Sequence, residues 1–371
     1  MAGHKHLPAL DGIRGLAVLL VFIYHFGGGA QSSNPLMHGI GLSIQAGWSG
    51  VTLFFILSGF LISGILWDSR ATPGWWHNFY MRRTLRIFPL YYGTLVVVFI
   101  TAVIAGKGLF SLSRIWIYGL YLQNIPPLSL KAENVGSTLW LSHFWSLAVE
   151  EQFYLLWPFL LFRMKNLAQA RKLCLGIFVF SALFRVVLWY VAPDPLLFLG
   201  FLFTRAGELA IGAWLAMCFR EPVSWIRLQR FAPVALIVSL AGFLASGVAG
   251  HTLLLKTSFI FLLGLPLITI FFAALVVLAL SDGVVNRAAR VAWLRWLGGI
   301  SYGVYVFHVL LVPVFGRIVA ALAPHASRNT ALGLEFIVAG VLSVSLAWLS
   351  FRYFESPFLR RRSRYQVLQN T

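Results

Sequence analysis

The stretch PALDGIRGLAVLLVFIYHFGGG, from Pro8 to Gly29, is mostly apolar but also carries Asp11, Arg14 and His25. A helix needs about 20 mostly apolar residues to cross the hydrocarbon core of a bilayer. An ionisable side chain inside such a helix costs roughly 3 kcal/mol or more, so it faces the bundle interior and marks a functional site. We therefore expect this helix to line an internal site.

The composition of the whole chain also points to a membrane. The 371 residues are 59% hydrophobic and only 11% charged, against about 25% charged residues in soluble domains. The net charge of +18 falls in short clusters between apolar runs, which is typical of loops that meet anionic lipid headgroups rather than of a nucleic-acid surface. Cys174 and Cys218 show no metal-ligand spacing, so no metal site is predicted.

Further apolar runs predict an all-α polytopic membrane protein with a bundle of about ten transmembrane helices. Pro266 lies inside the eighth run and favours a kink there. The segment 109–125 fits two alternatives, a re-entrant segment or one that lies along the membrane interface. The predicted spans are 8–27, 48–67, 89–105, 145–162, 173–191, 197–218, 231–249, 258–281, 299–321 and 331–354.

The distribution of Lys and Arg predicts the orientation of the bundle. With the N-terminus inside, the inner loops and tails hold nineteen of these residues and the outer loops hold five. The positive-inside rule therefore predicts that the N-terminus and the C-terminus are both cytoplasmic. We expect a single transmembrane domain over residues 1–358 and a short basic cytoplasmic tail over residues 359–371.

The polar residues of the first span share one side of the helix. Arg14 and His25 are eleven positions apart, which is three turns plus about 20°, or about 16 Å along the axis. Asp11 lies close to the same face. Gly12 and Gly15 leave room for another backbone or a thin ligand. Histidine is the side chain best suited to move a proton near neutral pH.

Seven stretches then occur in order along the chain. They are PALDGIRGLAVLLVFIYHF, FFILSGFLIS, FYMRRTLRIFPLYY, FWSLAVEEQFYLLWP, TRAGELAIGAWLA, SYGVYVFHVLLV and FESPF. Together they closely resemble the membrane-bound acyltransferase family 3, the O-acetyltransferase type that decorates bacterial surface polysaccharides. The resemblance covers nearly the whole chain. It implies a helical membrane bundle that transfers an acyl group from acyl-CoA to a hydroxyl, often on an extracytoplasmic sugar.

The resemblance also implies which residues carry the reaction. The first-helix arginine and histidine of the family, with ten residues between them, map onto Arg14 and His25. The glutamate of its WSLxxExxFY pattern maps onto Glu150. We expect Glu150 at a depth like that of His25, where it would orient the imidazole or hold the sugar. Glu151 lies on a different face and is expected to reach the headgroups.

The basic motif of the family maps onto Arg82, Arg83 and Arg86, just before the third span. Clusters of this kind often serve only as positive-inside anchors. The alternative is that their forked guanidinium groups recognise the phosphates of acyl-CoA, the donor substrate. Arg82 and Arg86, at i and i+4, are expected to grip one ligand together.

The predicted mechanism brings the donor along the first helix. Acyl-CoA docks on the basic motif from the cytoplasm, its pantetheine arm passes Arg14, and the thioester meets His25 in the outer half of the membrane. His25 then either deprotonates the acceptor hydroxyl or carries the acyl group transiently as a nucleophile. The sequence does not separate these two alternatives.

Three further charges lie inside predicted spans. Arg205 and Glu208, three positions apart, are expected to pair with each other, as scaffold first and cavity lining second. Arg185 fits either role. All three are retained as candidate substrate-binding residues.

Two other regions carry polar residues of less certain use. Ser301, Tyr305 and His308 share a face at i, i+4 and i+7, where hydrogen bonds between packed helices are the default. Glu355, at the inner end of the last span, is expected to neutralise a nearby arginine.

Two other classes of function compete with this interpretation, a secondary transporter and a non-catalytic component of polysaccharide assembly. No inverted repeat or matched pair of broken helices supports a transporter. The resemblance therefore predicts an acyltransferase of the bacterial cytoplasmic membrane, with acetyl as the commonest acyl group of the family. Some larger members carry a soluble hydrolase-like domain after the bundle. None is predicted here, so a separate periplasmic transferase or polysaccharide-assembly protein is an expected partner.

Overall fold

The computed structural model describes residues 6–28, 35–106, 114–126, 128, 140–192 and 194–365. Every regular element within these residues is helical. Helices α1 to α16 are, in chain order, Pro8–Phe26, Pro35–Gln45, Gly50–Ser69, Trp75–Ile104, Trp116–Gly119, Trp145–Phe162, Leu167–Val191, Leu202–Phe219, Pro222–Ala249, Leu265–Ala279, Val284–Ala289, Ala292–Gly299, Ser301–Leu310, Val312–Leu322, Arg328–Leu349 and Ser356–Arg361.

The all-α polytopic fold is confirmed. In the described part of the chain, eight helical segments are long and apolar enough to cross a membrane, and a ninth is the pair α13 and α14 if these two helices, bent by 65°, form one span. These nine correspond to nine of the ten predicted spans. The tenth, α6, occupies the predicted residues 145–162 as a helix, but Glu150, Glu151 and Gln152 make it more polar than the others.

Helix α1 is held by backbone contacts rather than by side chains alone. A Cβ atom added at Gly12 would overlap the carbonyl oxygen of Ala289 in α11, and one at Gly15 would overlap that of Leu294 in α12. Gly298 of α12 packs in the same way against the carbonyl of Asp11. The room at these glycines is therefore taken by backbone, and the contacts fix the rotation of α1 about its axis.

Helix α3 lies between α1 and α8, and here too glycines pack directly against backbone carbonyls. Gly50 abuts the carbonyl of Ala17 in α1. At the crossing of α3 with α8, Gly59 abuts the carbonyl of Leu209 and Gly212 abuts the carbonyl of Ile56. Since none of these positions has room for a side chain, α1, α3 and α8 form a closely packed unit around which the functional side chains are arranged.

The ambiguous segment 109–125 does not cross the bundle in its described part, which begins after residue 113. It contains the single helical turn α5. Tyr91 of α4 donates a hydrogen bond to the carbonyl of Tyr118 (2.7 Å), and Tyr92 donates one to the carbonyl of Gly119 (2.9 Å). This segment therefore packs along α4.

Two π-helical turns interrupt the long helices of the second half, Phe259–Gly264 before α10 and Ser350–Glu355 before α16. The first lies next to Pro266, where the eighth span was expected to kink. Because proline has no N–H to donate to the preceding turn, the regular helical hydrogen-bond pattern is interrupted there.

The predicted basic tail, residues 359–371, packs against α4 over its described part. Arg82 donates hydrogen bonds to the carbonyls of Arg362 (3.4 Å) and Tyr365 (3.1 Å). His77 of α4 also contacts the Tyr365 ring, with centroids 5.6 Å apart. Residues 366–371 of this predicted tail lie outside the described residues.

The packing of α1 predicts a sharp difference between two glycine substitutions. Gly12→Ala would force α1 away from α11 and cost roughly 1–3 kcal/mol, as overpacking does. Gly176→Ala in α7, where an added Cβ meets nothing within 4 Å, would leave stability unchanged or slightly higher, because alanine favours a helix. Thermal unfolding of the two variants in detergent measures this. Equal melting temperatures would show that the backbone contact does not hold α1.

Candidate active site

A cavity of about 90 Å³ lies within the bundle, between α1, α3, α4, α6 and α13. Arg14, Arg83 and Arg86 line it. We call this end of the bundle the arginine end and the end that holds His25 the histidine end. The Nη1 atom of Arg14 lies 3.9 Å from Oδ1 of Asp11. Because Arg14 lines the cavity, the first helix presents its arginine to an interior space, as its polar face predicts.

The three arginines of the basic motif lie in two different surroundings. Arg83 and Arg86, at i and i+3, line the cavity. Arg82 points away and holds the C-terminal segment through the carbonyls described above. The structure therefore does not bring Arg82 and Arg86, the pair expected to grip one ligand, to this cavity together. Spacing within the motif does not reveal that the C-terminal segment packs on the Arg82 side of α4.

Two carboxyl groups face the arginines across the cavity. Ser58 donates a hydrogen bond to Oε1 of Glu150 (2.5 Å), and Tyr154 donates one to the Ser58 hydroxyl (3.0 Å). Glu151 also lines the cavity, and its Oε1 atom is buried without a hydrogen-bond partner. The guanidinium of Arg83 lies over the Tyr154 ring, 5.4 Å from its centroid.

The structure gives the two glutamates other neighbours than those expected from the sequence. Glu150 lies with the arginines, and none of its described hydrogen bonds involves His25. Glu151 lines the cavity instead of reaching the headgroups. Counting residues along α6 could not show this, because it does not reveal which partners on α3 and α4 the helix meets.

A hydroxyl pair bounds the cavity toward the histidine end. The hydroxyls of Ser146 and Tyr305 are 2.5 Å apart, and Tyr305 also donates a hydrogen bond to the carbonyl of His143 (2.9 Å). Tyr305 thus touches the cavity on one side and the neighbourhood of His25 on the other. His25 is not among the cavity-lining residues, so the cavity does not extend along α1 from Arg14 to His25 as expected.

Beyond that layer, three imidazole rings pack edge to face. The ring centroids of His25 and His308 are 4.8 Å apart, and those of His308 and His143 are 5.1 Å apart. His25 is exposed, whereas His308 and His143 are 1% and 6% exposed. The shared face predicted for Ser301, Tyr305 and His308 brings His308 to His25. His143 carried no signal in the sequence, because only the fold brings it here.

The hydrogen bonds of these rings set their tautomers. Nδ1 of His25 lies 2.9 Å from the carbonyl oxygen of Val21, and Nδ1 of His308 lies 2.7 Å from that of Tyr305. Because a carbonyl only accepts, each Nδ1 carries the proton, and Nε2 keeps its lone pair in the neutral ring. Nε2 of His308 has no partner among the described groups.

The third ring is oriented the other way. Nε2 of His143 bonds to the carbonyl of Val306 (3.2 Å), and its Nδ1 is buried without a partner. Burial, together with the nearby His25, lowers the pKa of His143 to about 3, so this ring is neutral at physiological pH. Two buried imidazole lone pairs therefore lie beside the exposed ring of His25.

The predicted substrate-binding charges lie elsewhere. Arg205 and Glu208 of α8 pair at 3.1 Å and are each about 1% exposed. Arg205 also donates to the Thr52 hydroxyl (3.2 Å), and Arg185 donates to the carbonyl of Thr204 (2.6 Å). None of the three lines the cavity. The structure therefore does not bring the three predicted substrate-binding residues to this cavity, and the scaffold alternative matches their position.

The remaining titratable groups are consistent with this arrangement. Glu355 is 7% exposed, accepts a hydrogen bond from Ser350 (3.0 Å) and interacts electrostatically with Arg86, as expected from FESPF. Within the described ranges, no group of three or more His, Cys, Asp or Glu residues could hold a metal ion.

Comparison with known proteins agrees with the motif pattern. A family model described as an acyltransferase domain matches residues 7–352, which confirms the resemblance. The chain is 27% identical to the peptidoglycan O-acetyltransferase OatA of Listeria monocytogenes serovar 1/2a, over 95% of this chain and 56% of the relative. It is 26% identical to the putative peptidoglycan O-acetyltransferase YrhL of Bacillus subtilis, over 95% of this chain and 55% of the relative.

A third relative is the O-acetyltransferase OatA of Staphylococcus aureus, 25% identical over 97% of this chain and 58% of the relative. The chain thus spans a little over half the length of the curated relatives it matches. No solved structure matches the chain.

The buried pair on α8 predicts a loss of stability when one partner is removed. Glu208→Ala would leave the Arg205 guanidinium buried without its counter-charge and cost roughly 3–5 kcal/mol. The double variant Arg205→Met/Glu208→Leu would recover most of this loss, because two apolar side chains need no pairing. Thermal unfolding of both variants in detergent measures the effect. A Glu208→Ala protein as stable as the wild type would contradict the scaffold role.

Proposed function

The chain belongs to the acyltransferase domain family, and on that premise we propose that it is an O-acetyltransferase. In this proposal it moves an acetyl group from cytoplasmic acetyl-CoA to a hydroxyl of an extracytoplasmic carbohydrate. The observation that carries the proposal is that α1 contributes to two sites. At the arginine end it lines a cavity with three arginines, and at the histidine end it presents the exposed imidazole of His25.

The donor is assigned to the arginine end. The phosphates of CoA are anionic, and guanidinium forks bind them through strong charge-assisted hydrogen bonds. Arg83 and Arg86 would hold the phosphates, and Arg14 would meet the pantetheine arm. The carboxyl group of Glu150 can accept a hydrogen bond from an amide N–H of that arm, because Ser58 occupies only Oε1. Basic residues concentrated in the predicted cytoplasmic loops support entry of the donor from that side.

The chemistry is assigned to His25. Its Nδ1–H is occupied by the Val21 carbonyl, which leaves the Nε2 lone pair to take the proton of the acceptor hydroxyl. The hydroxyl oxygen then attacks the thioester carbonyl, the carbon–sulfur bond breaks, and the departing thiolate takes the proton from His25. A transient acyl group on Nε2 is the alternative route to the same products.

Neighbouring groups support this role of His25. The unpartnered nitrogen of His308 presents a lone pair near the ring that becomes positively charged, and preorganised dipoles of this kind stabilise a developing charge. Tyr305 and Ser146 must separate for the thioester to reach His25, since their hydroxyls join across the path. A conformational step of this kind is common in enzymes that keep water from a reactive intermediate.

The acceptor is proposed from the relatives, which are named for peptidoglycan O-acetylation. A peptidoglycan-type sugar hydroxyl would approach the histidine end from outside the bacterial cytoplasmic membrane.

The proposal is tested by following label from radiolabelled acetyl-CoA to a peptidoglycan-type glycan fragment with purified protein. The wild type is expected to transfer label, and His25→Ala is expected to lose at least 10²–10⁴-fold in rate, the usual contribution of a general base. Transfer by His25→Ala at the wild-type rate would overturn the role of His25. No transfer or exchange of label by the wild type would favour a transporter or an assembly component.

A second variant separates the role of His308 from mere packing. His308→Phe keeps a ring at the edge-to-face contact but removes the unpartnered nitrogen, together with the Nδ1 hydrogen bond to the Tyr305 carbonyl. We expect a lower kcat with an unchanged KM for acetyl-CoA, and a decrease in melting temperature no larger than the loss of one hydrogen bond produces. His308→Gln, which restores a hydrogen-bond acceptor, should recover part of the rate. Equal rates for His308→Phe and His308→Gln would show that the unpartnered nitrogen of His308 does not assist the reaction and that His308 only packs.

Because Arg83 lines the cavity and Arg82 does not, substitutions at these adjacent arginines should affect the KM for acetyl-CoA differently. Arg83→Gln removes a charged contact to CoA and should raise the KM for acetyl-CoA roughly 10- to 100-fold, since such hydrogen bonds contribute about 1.5–3 kcal/mol. Arg82→Gln, the matched control, should leave KM near the wild-type value and instead loosen the C-terminal segment. Kinetics of label transfer measure both. Equal increases in KM would contradict the division of the motif.

A further inference from the structure

A second concave site lies at the arginine end, on the outside of the bundle. It is a groove of about 780 Å³ between the end of α12 and the segment that joins α15 to α16. It shares no lining residue with the cavity described above. The groove is therefore independent of the proposed donor site and needs its own explanation.

Two guanidinium groups at this groove have no protein partner among the described contacts. Arg352 and Arg360 line it and are exposed. The nearest carboxyl group in the sequence, Glu355, is turned inward, where it accepts the hydrogen bond from Ser350. Arg352 and Glu355 both lie in the π-helical turn Ser350–Glu355, and no carboxylate is among the lining residues. The groove is thus a concave site of uncompensated positive charge.

The rest of the lining is apolar and aromatic. Trp296 and Trp348 are 50% and 41% exposed on opposite sides of the groove. Ile300, Phe351 and Leu359 contribute apolar surface between them. Exposed indoles are typical of the level where lipid headgroups meet the hydrocarbon core. The groove therefore offers an anion site and an apolar surface at the same depth.

We propose that this groove binds an anionic glycerophospholipid. Its phosphate lies between Arg352 and Arg360, and its acyl chains follow the indoles toward the hydrocarbon core. Basic pockets between membrane helices at the cytoplasmic side are suited to such headgroups. A soluble phosphate compound would satisfy the arginines but would leave the exposed indoles and the apolar lining without a partner.

The test uses the purified chain, delipidated in detergent. Binding is measured by native mass spectrometry and by the rise in melting temperature on adding phosphatidylglycerol, phosphatidylcholine or inorganic phosphate. The wild type is expected to bind phosphatidylglycerol and to be stabilised by it, but not by the other two. Stabilisation by inorganic phosphate equal to that by phosphatidylglycerol would overturn the lipid assignment.

Two double variants test whether the lipid binds in this groove. Arg352→Gln/Arg360→Gln is expected to weaken phosphatidylglycerol binding roughly 10- to 30-fold, since each basic residue near an anionic lipid contributes about 1 kcal/mol. Arg287→Gln/Arg290→Gln, which removes two exposed arginines near α11 that do not line the groove, is the matched control and should bind as the wild type does. Both double variants should melt like the wild type in phosphatidylcholine. Equal weakening in the two variants would show that net charge, rather than this groove, attracts the lipid.

Discussion

The structure depends on placing the guanidinium of Arg14 inside a membrane bundle on a helix that cannot rotate. An arginine at that depth is costly unless it meets polar partners, so α1 must present it to the cavity and to no other side. Gly12 and Gly15 enforce this by seating α1 directly on the backbone of α11 and α12. Since no side chain intervenes, the angle at which Arg14 and His25 project is fixed by backbone contact.

That constraint creates two chemically different compartments along one helix. Toward one end of α1, Arg14 joins Arg83 and Arg86 around a polar cavity. Toward the other end, His25 lies beside the two buried imidazoles of His308 and His143. Tyr305 separates the two by its hydrogen bonds. In the proposed reaction, the anionic donor would bind in the first compartment and the neutral sugar hydroxyl in the second. Acyl transfer would require the layer formed by Tyr305 to open.

Much of this could be predicted from sequence because membrane helices obey strong local rules. The spans follow from the length of the apolar runs, and the polar side of α1 follows from helical periodicity. For these reasons nine of the ten predicted spans and the inward direction of Arg14 agree with the structure. The partners of α4 and α6 do not follow from periodicity. Arg82 is drawn to the C-terminal segment, and Glu150 meets Ser58 rather than His25. His143 precedes α6 in a short turn with no motif, so only tertiary packing brings it to His308.

A structure of the chain with CoA bound would locate the donor site. We expect the phosphates of CoA at Arg83 and Arg86, the pantetheine arm beside Arg14 and Glu150, and the sulfur directed toward Tyr305. Phosphates bound at Arg82, or a nucleotide outside this cavity, would contradict this expectation.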